Sequence, residues 1–242
     1  MTRKKGIAAY LWSLWFNLTF YGANLAMSVL LCGSMLVSRR ATVWAVHVWL
    51  GAVAWVENHL GGIRYRVIGR EHIPRGACIV AAKHQSAWET FKLHLILGDP
   101  AIVLKRELLS IPLIGWYMSR SGSIPIDRAG RTKALSNMTE AARKAAAQGR
   151  PIVIFPEGTR AAVGESRPYK SGVAALYQDL NLPIVPMALN SGLLWPKDSF
   201  FKKRGLITVE FLPPIPPGLP REEMMRRLRG ELEPAALQLM KL

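Results

Sequence analysis

The chain has 242 residues, half of them hydrophobic, and it carries 32 Lys and Arg against 16 Asp and Glu. This length allows one domain or two small ones, and the two cysteines, Cys32 and Cys78, exclude a disulfide framework or a thiolate metal site. The formal net charge of +16 indicates an anionic partner, which could be nucleic acid, an acidic membrane surface or a phosphorylated substrate. Eight Trp and a mean hydropathy of +0.14 favour the membrane.

Two uncharged stretches open the chain. Residues 6–38 contain no Asp, Glu, Lys or Arg and have basic residues on both sides, and a second uncharged stretch covers residues 41–56. A helix needs about 20 apolar residues to span a bilayer, so the first stretch is long enough and the second is marginal. Five of the eight Trp lie before residue 60, and Trp prefers the membrane–water boundary. We expect residues 1–60 to form an N-terminal apolar helical membrane anchor, either a span or a hairpin.

Two other interpretations of this region compete with an anchor. A secretory signal peptide has an apolar core of about 7–15 residues, which is shorter than the stretch at residues 6–38 and poorer in Trp, Tyr and Asn. A buried helix pair of a soluble protein is the second alternative. Because basic residues flank the first stretch on both sides, the charges show no inside–outside asymmetry, and a span and a hairpin in one leaflet both stay open.

The remaining residues, 61–242, alternate strand-like and helix-like segments and are predicted to form an α/β domain. Short apolar runs bounded by turn residues predict strands within residues 63–74 and at 77–82, 101–105, 123–126, 151–155, 183–189 and 206–212. Helical spacing and stop signals predict helices at 86–98, 111–119, 131–148, 171–179 and 221–242. Strands that alternate with helices indicate a mostly parallel mixed sheet flanked by helices, with sites where strands end and helices begin.

The stretch KHQSAWET, residues 83–90, places His84 five positions before Glu89. On one continuous helix these two side chains would be about 140° apart, so they meet only if His84 lies at the end of the preceding strand. Ser86 then becomes the N-cap, and S-A-W-E fits a capping box with Glu89 reaching back. A carboxylate near the ring would fix its tautomer and support the imidazolium. The stretch alone fits both a catalytic pair and a surface histidine beside a capping box.

Cationic residues follow three other predicted strands. Asp127 and Arg128 come after SIPI, Arg160 comes after PIVIF within PEGTR, and Lys105 ends AIVLK. Arginine is suited to bidentate recognition of phosphate. Each segment alone is also compatible with a solvated cation or an ordinary ion pair at a turn.

The sequence lacks the common motifs for other chemistries. It contains no G-x-S-x-G nucleophile elbow, no H-E-x-x-H zinc motif and no phosphate-binding P-loop, and its five histidines show no metal-ligand spacing. No RNA- or DNA-binding motif accompanies the positive charge, so a nucleic-acid partner is not expected. A histidine–carboxylate pair without a protein nucleophile suits a substrate that supplies its own hydroxyl, with histidine as the general base.

Taken together, these segments resemble the PlsC-type glycerolipid acyltransferases, the 1-acyl-sn-glycerol-3-phosphate acyltransferase family. The family's N-H-x-x-x-x-D motif is similar to KHQSAWE, its second motif to GSIPIDR at residues 122–128, and its fourth to IVPMALNSG at residues 184–192. Its third motif, F-P-E-G-T-R, is unchanged at residues 155–160. The chain departs from the family at two positions, with Lys83 where Asn is usual and Glu89 where Asp is usual.

The resemblance implies a glycerol-3-phosphate acyltransferase-like fold and an acyl transfer that yields phosphatidic acid in phospholipid biosynthesis. His84, oriented by Glu89, would deprotonate a lysophospholipid hydroxyl that attacks acyl-CoA or acyl carrier protein. Arg128, Arg160 and Lys105 would hold the acceptor phosphate. Glu157, Gly158 and Thr159 would shape the phosphate pocket. The other residues of the motifs are Gly122, Asp127, Phe155, Pro156, Val185 and Pro186.

The resemblance also implies partners and a location. The partners are the lipid bilayer, a lysophospholipid, an acyl donor and, as one donor form, acyl carrier protein; no metal or bound cofactor is expected. The location is a membrane, the bacterial inner membrane with the active site at its cytoplasmic face. Two alternatives stay open: an acyltransferase that acts on another lysolipid such as lyso-ornithine lipid, and a catalytically silent membrane-binding homologue.

Overall fold

The computed structural model describes residues 6–127 and 131–241, with the side chains of residues 131 and 132 outside the description. In this part of the chain, seven strands form one sheet: β1 Ile63–Ile68, β2 Ile79–Ala82, β3 Ala101–Lys105, β4 Ile124–Ile126, β5 Ile152–Ile154, β6 Ile184–Leu189 and β7 Gly205–Phe211. Their spatial order is β1-β7-β6-β2-β5-β3-β4. All neighbours are parallel except β6 and β7, which are antiparallel. The predicted mostly parallel mixed sheet is confirmed.

Helices flank the sheet on both faces. In the described ranges they are α1 Ile7–Leu30, α2 Ser34–Val37, α3 Arg39–His59, α4 Trp88–Leu97, α5 Ile114–Arg120, α6 Arg131–Ala146, α7 Ser171–Leu180, α8 Ser191–Leu194 and α9 Arg221–Leu239. Short 3-10 turns occur at Arg70–His72 and Arg106–Ser110. Every helix predicted after residue 60 is present. Helix α5 begins after the predicted position because Leu113 has a left-handed φ of 62° that a helix excludes.

Strand β2 lies in the middle of the sheet, and its alternating side chains serve two separate cores. Val80 and Ala82 pack with α1, α3 and α4, whereas Ile79 and Ala81 pack with α6, α7 and α9. Successive strand residues point to opposite faces, and a parallel strand covered on both faces reads as a continuous apolar run. The run ACIVAA therefore identifies β2, which directly precedes the turn with His84, as the central strand of the sheet.

Helices α1 and α3 carry apolar residues on the sides that face the sheet and on their outer sides. Phe16, Phe20 and Trp49 are buried in the first core, but much of the outer side of α1 is apolar and exposed. Among the described residues, one helical stretch, Ile7–Val37, is long and apolar enough to cross a membrane, with a mean hydropathy of 1.6. Only 17% of that window is buried. The boundary predicted between residues 60 and 61 stays a prediction.

Candidate active site

His84 and Glu89 are brought together at the carboxyl end of β2. The histidine lies two residues past the strand and the glutamate lies in the first turn of α4, so the non-helical residues between them let the side chains face each other. Nδ1 of His84 and Oε1 of Glu89 are 2.9 Å apart. The histidine side chain is 16% exposed and the glutamate side chain is 1% exposed. A partly accessible ring is thus held by a buried carboxylate.

The carboxylate of Glu89 accepts hydrogen bonds from several groups besides His84. Its Oε1 accepts hydrogen bonds from the N–H groups of Gln85 at 2.7 Å and Ser86 at 2.8 Å. The hydroxyl of Ser191 donates to its Oε2 at 2.8 Å. An ionised carboxylate is acceptor-only, so every one of these contacts suits the charged form. In the neutral tautomer that fits this contact, Nδ1 of His84 donates to Glu89 and Nε2 is the nitrogen that can accept a proton.

The predicted capping box at Ser86 is present with a shift of one residue. Helix α4 begins at Trp88, with Ala87 as the N-cap residue. Ser86 donates its N–H to Glu89, as predicted, but its hydroxyl accepts from the N–H of Trp88 at 3.1 Å and not from that of Glu89. One carboxylate therefore closes the start of the helix and orients the histidine.

The FPEGTR segment and the residue after it contact the ring and the backbone of His84. Phe155 stacks on the ring of His84 with centroids 4.0 Å apart and planes 22° from parallel. Gly158 has a left-handed φ of 68°, and its N–H donates to the carbonyl of Phe155 at 2.9 Å to close a turn. Beyond the turn, the N–H of Ala161 donates to the carbonyl of His84 at 2.8 Å. The segment therefore supports the ring by stacking and the backbone by a hydrogen bond.

A buried charge cluster lies beside the same turn. The ammonium of Lys83 contacts Glu157 at 2.5 Å and Glu233 at 2.9 Å, and the hydroxyl of Tyr169 donates to Glu233 at 2.7 Å. The other oxygen of Glu157 accepts the N–H of His84 at 3.4 Å. Burial raises the pKa of Glu157, and the hydrogen bond and charge of Lys83 oppose this. Lys83, which stands where the family has asparagine, is thus paired with two carboxylates.

Sequence reasoning missed three of these partners. Ser191 is separated from Glu89 by 102 positions and Glu233 from Lys83 by 150 positions, and Tyr169 joins the cluster only through Glu233. No local pattern connects residues so far apart. The sequence held two signals. Ser191 lies within the fourth motif, residues 184–192, and Lys83 replaces the family's asparagine, where a lysine beside a buried strand needs a carboxylate.

Two of the predicted phosphate ligands, Arg160 and Lys105, form ion pairs with residues other than the catalytic pair. Arg160 donates to Asp198 at 3.0 Å, and Lys105 pairs with Glu107 at 3.0 Å. Arg160 follows β5 and Lys105 is the last residue of β3, so both lie at the same edge of the sheet as the end of β2. Strand β3 is two strands away from β2, roughly 10 Å. Arg128 lies outside the described residues. The phosphate roles of these three residues stay predictions.

The other motif residues take structural positions around the sheet. Gly122 precedes β4 with a left-handed φ of 81°, and its carbonyl accepts from Arg150 at 3.2 Å. Asp127 directly follows β4. The Pro156 carbonyl accepts the N–H of Lys170 at 2.7 Å, and Thr159 is half-buried in the same loop.

The fourth motif runs along the neighbour of the histidine strand. Val185 pairs with Val80 of β2, and Pro186 pairs with Ala81. Both motif residues are buried, so they support the strand that leads to the histidine. Within the described residues, no group of three His, Cys, Asp or Glu is placed to hold a metal ion.

Fold and site together define an α/β protein with a histidine–carboxylate pair at the carboxyl edge of a parallel sheet, an arrangement suited to general-base chemistry. The chain belongs to the Acyltransferase family, whose model matches residues 64–190. This segment contains the pair, the FPEGTR loop and most of the sheet.

Several relatives share more detailed similarity. The 1-acyl-sn-glycerol-3-phosphate acyltransferase of Pseudomonas aeruginosa is 39% identical over 166 residues, which cover 69% of this chain and 65% of that enzyme. The yeast enzyme of the same name, from Saccharomyces cerevisiae, is 33% identical over 64% of this chain and 52% of its own length. The chain thus spans less than two thirds of the curated relatives it matches.

A solved structure has a similar fold. The crystal structure of the 1-acyl-sn-glycerophosphate acyltransferase PlsC from Thermotoga maritima superposes with a TM-score of 0.74. The match covers 96% of this chain and 97% of that chain at 20% sequence identity. The likeness extends over the N-terminal helices as well as the sheet, and it shows a common fold.

Proposed function

We propose that this protein transfers a fatty acyl group from a thioester donor to the free hydroxyl of 1-acyl-glycerol-3-phosphate, giving phosphatidic acid. The observation that carries the proposal is the 2.9 Å contact between Nδ1 of His84 and the buried carboxylate of Glu89. The Pseudomonas and yeast relatives support the choice of acceptor, because both are named as acyltransferases for that lipid.

In the proposed reaction, Nε2 of His84 removes the proton from the acceptor hydroxyl while that oxygen attacks the thioester carbonyl. The new C–O bond gives a tetrahedral intermediate, and its collapse breaks the C–S bond and expels the thiolate. The imidazolium then returns its proton to the thiolate, so protons and electrons balance. Glu89 stabilises the imidazolium between these steps, and the stacked ring of Phe155 restricts rotation of the base.

The acceptor phosphate is assigned to Arg160, Lys105 and Arg128. The first two are paired now with Asp198 and Glu107, whose side chains are 66% and 64% exposed. Exposed ion pairs are weak, about 0–1 kcal/mol, so a phosphate dianion can displace these carboxylates at small cost. The guanidinium group of an arginine can donate two parallel hydrogen bonds to two oxygens of one phosphate.

The proposal places the protein at a membrane, where the acceptor resides. Helix α1 exposes Leu11, Trp15, Leu18 and Leu25, an apolar side suited to a span or to a hairpin in one leaflet. We assign it to the bacterial inner membrane with the active site at the cytoplasmic face. The donor is acyl-CoA or acyl carrier protein, and the proposed reaction uses no metal or bound cofactor.

The test uses the full chain purified in detergent with lysophosphatidic acid and a mixture of acyl donors. Mass spectrometry is expected to find phosphatidic acid, and His84→Ala is expected to lower kcat roughly 10²–10⁴-fold, the usual contribution of a general base. His59→Ala is the matched control, because that histidine is exposed at the end of α3. Near-normal turnover of His84→Ala, or preference for a phosphate-free lysolipid, would contradict the proposal.

A further inference from the structure

The two residues that follow β2 contact helices on opposite faces of the sheet. His84 reaches Glu89 of α4 at 2.9 Å, and α4 packs on the core formed with α1 and α3. The ammonium of Lys83 reaches Glu233 of α9, also at 2.9 Å, and α9 packs on the other core, with α6 and α7. The end of β2 is thus held by one side chain on each face.

Glu157 connects Lys83 to the backbone of His84. Its Oε1 accepts from the ammonium of Lys83 at 2.5 Å, and its Oε2 accepts the N–H of His84 at 3.4 Å. Both the lysine and the glutamate are buried, so their partners in the protein, and not water, determine where each group lies. The contact with the N–H of His84 is long, and it therefore depends on where the ammonium holds the carboxylate.

Glu233 and Tyr169 hold the ammonium from the other side. The Oε1 atom of Glu233 accepts from Lys83 at 2.9 Å and from the hydroxyl of Tyr169 at 2.7 Å. Burial and the carboxylate of Glu233 raise the pKa of Tyr169, so the hydroxyl keeps the proton that it donates. The next residue, Lys170, donates its N–H to the carbonyl of Pro156 at 2.7 Å. These contacts form a closed circuit from the end of β2 through the FPEGTR segment and Tyr169 to α9.

Helix α9 is itself fixed to the sheet, so it can act as a firm support for Glu233. Its buried residues are Met224, Leu228, Leu232, Ala236 and Leu239. Near its end, the carbonyl of Leu239 accepts from Nδ2 of the buried Asn190 at 2.9 Å. Asn190 directly precedes Ser191, whose hydroxyl donates to Glu89 at 2.8 Å. The helix that presents Glu233 is thus tied to the segment that supports Glu89.

Stability alone does not account for this cluster of charges. A buried ion pair adds little net stability, because the loss of hydration offsets the attraction between the charges. The cluster has two carboxylates for one ammonium, and its contacts end at the N–H of His84 and at the FPEGTR segment. Its geometry therefore points to a role in placing the histidine.

We propose that Lys83, Tyr169 and Glu233 are positioning residues, which act through Glu157 to hold the backbone of His84 where its ring can reach the acceptor hydroxyl. The inference rests on the proposed acyl transfer and adds what fixes the position of its general base. A misplacement of about 1 Å can lower a rate by as much as about 10²-fold. Loosening this cluster is therefore expected to lower kcat and to leave the KM of both substrates unchanged.

The first experiment compares two buried lysine–glutamate pairs. Glu233→Gln and the matched control Glu57→Gln each remove a carboxylate charge from a buried ammonium, that of Lys83 or that of Lys92. Both variants are expected to have a lower Tm, but only Glu233→Gln is expected to lose kcat, about tenfold, with unchanged KM for lysophosphatidic acid and palmitoyl-CoA. Full kcat of folded Glu233→Gln, or an equal loss in Glu57→Gln, overturns the inference.

A second pair of variants makes a smaller change that keeps every charge. Tyr169→Phe removes the hydroxyl that donates to Glu233, and kcat is expected to fall roughly threefold, as for the loss of one hydrogen bond. Tyr177→Phe is the matched control, because its hydroxyl donates at 2.6 Å to the carbonyl of Pro216, outside the cluster. Equal kcat values for the two variants contradict the inference.

A third experiment tests whether the charges act as a unit. Lys83→Asn leaves Glu157 and Glu233 buried without their ammonium, and kcat is expected to fall about tenfold or more. Adding Glu233→Gln removes one of the two carboxylate charges, so the double variant is expected to have a higher kcat than Lys83→Asn alone. This coupling is what a double-mutant cycle measures. Losses that multiply would show that the two residues act independently, and they would overturn the inference.

Hydrogen exchange at the amide of His84 separates this inference from the proposed function, because it needs no turnover. That N–H donates to Glu157, so Glu233→Gln is expected to speed its exchange about tenfold under conditions where the protein stays folded, whereas Glu57→Gln is not. If the wild type transfers no acyl group to lysophosphatidic acid, the proposed function fails. If the wild type is active, and Glu233→Gln matches it in both kcat and exchange, only the positioning inference fails.

Discussion

Two buried glutamates flank the start of α4, and their partners differ. Glu89 and Glu57 are each 1% exposed. Glu89 accepts hydrogen bonds from a histidine, a serine hydroxyl and two backbone N–H groups. Glu57, on α3, binds the ammonium of Lys92 at 2.8 Å and the indole N–H of Trp88 at 2.5 Å. One carboxylate thus faces dipoles and a histidine ring, and the other faces a lysine ammonium.

Under the proposed function, this difference separates a carboxylate that serves the structure from one that serves the reaction. Glu57 is paired with Lys92, and this pair joins α3 to α4. In the proposed reaction, Glu89 gains a full counter-charge only when His84 takes up the proton of the acceptor hydroxyl. Fixed dipoles that hold a carboxylate ready for a transient cation are the form of electrostatic stabilisation that enzymes use. Under the proposed function, the same residue type therefore has two different roles, one on α3 and one on α4.

The largest expected effect is that of Glu89→Gln on catalysis. The amide keeps the shape of the carboxylate but removes the charge that faces the imidazolium, so kcat is expected to fall roughly 10³-fold, about 4 kcal/mol in the transition state. Steady-state kinetics with lysophosphatidic acid would measure this, and circular dichroism would check that the fold is kept. A variant with more than half of wild-type kcat would show that the two glutamates are equivalent.

The next largest effect is that of Glu57→Gln on stability. Removing one member of a buried ion pair leaves Lys92 without a counter-charge, which costs about 3 kcal/mol. We expect a lower unfolding midpoint in urea and an unchanged kcat for the folded fraction. The isosteric Glu89→Gln serves as the comparison. A loss of kcat at full stability would place Glu57 in the reaction and would erase the contrast between the two residues.

The smallest effect concerns a third buried glutamate, Glu157, and its response to pH. Burial raises its pKa above the ordinary 4.5, against the opposing influence of Lys83. The folded protein then binds this proton more tightly than the unfolded chain, so the stabilising contribution is complete below pH 4.5 and is lost as the pH rises through the folded pKa.

Thermal unfolding at several pH values above 4.5 would measure that contribution. The wild-type Tm is expected to fall relative to that of Glu157→Gln as the pH rises, by about 2–4 °C for each kcal/mol of lost stability. Glu231→Gln, at an exposed ion pair on α9, should run parallel to the wild type. Parallel curves for Glu157→Gln would show that this carboxyl does not titrate in the window.

The order of elements along the chain could be predicted from sequence, whereas their neighbours in space could not. A short apolar run between turn residues, such as the one that ends at Ala82, identifies a strand because backbone hydrogen bonds and burial act locally. The insertion of β7 between β1 and β6, antiparallel to β6, depends on tertiary packing that no local pattern records.

The candidate site shows the same division. The proximity of His84 and Glu89 followed from helix geometry and one capping pattern. The hydrogen bond from Ser191 to Glu89 and the contact of Lys83 with Glu233 could not be predicted. Ser191 and Glu233 lie on α8 and α9, far along the chain from their partners. The expected phosphate role of Arg160 followed from a motif, but its present partner Asp198 lies in a loop with no recognisable pattern.

The position of β7 bears on which part of the chain can be expressed alone. The segment that matches the family, residues 64–190, ends before β7 and α9. In that fragment β1 would lose its only neighbour in the described sheet, β6 would gain an open edge, and Lys83 would keep one carboxylate instead of two. Unpaired edges promote aggregation, so the smallest useful expression fragment must extend through α9 even though the recognisable motifs stop at residue 190.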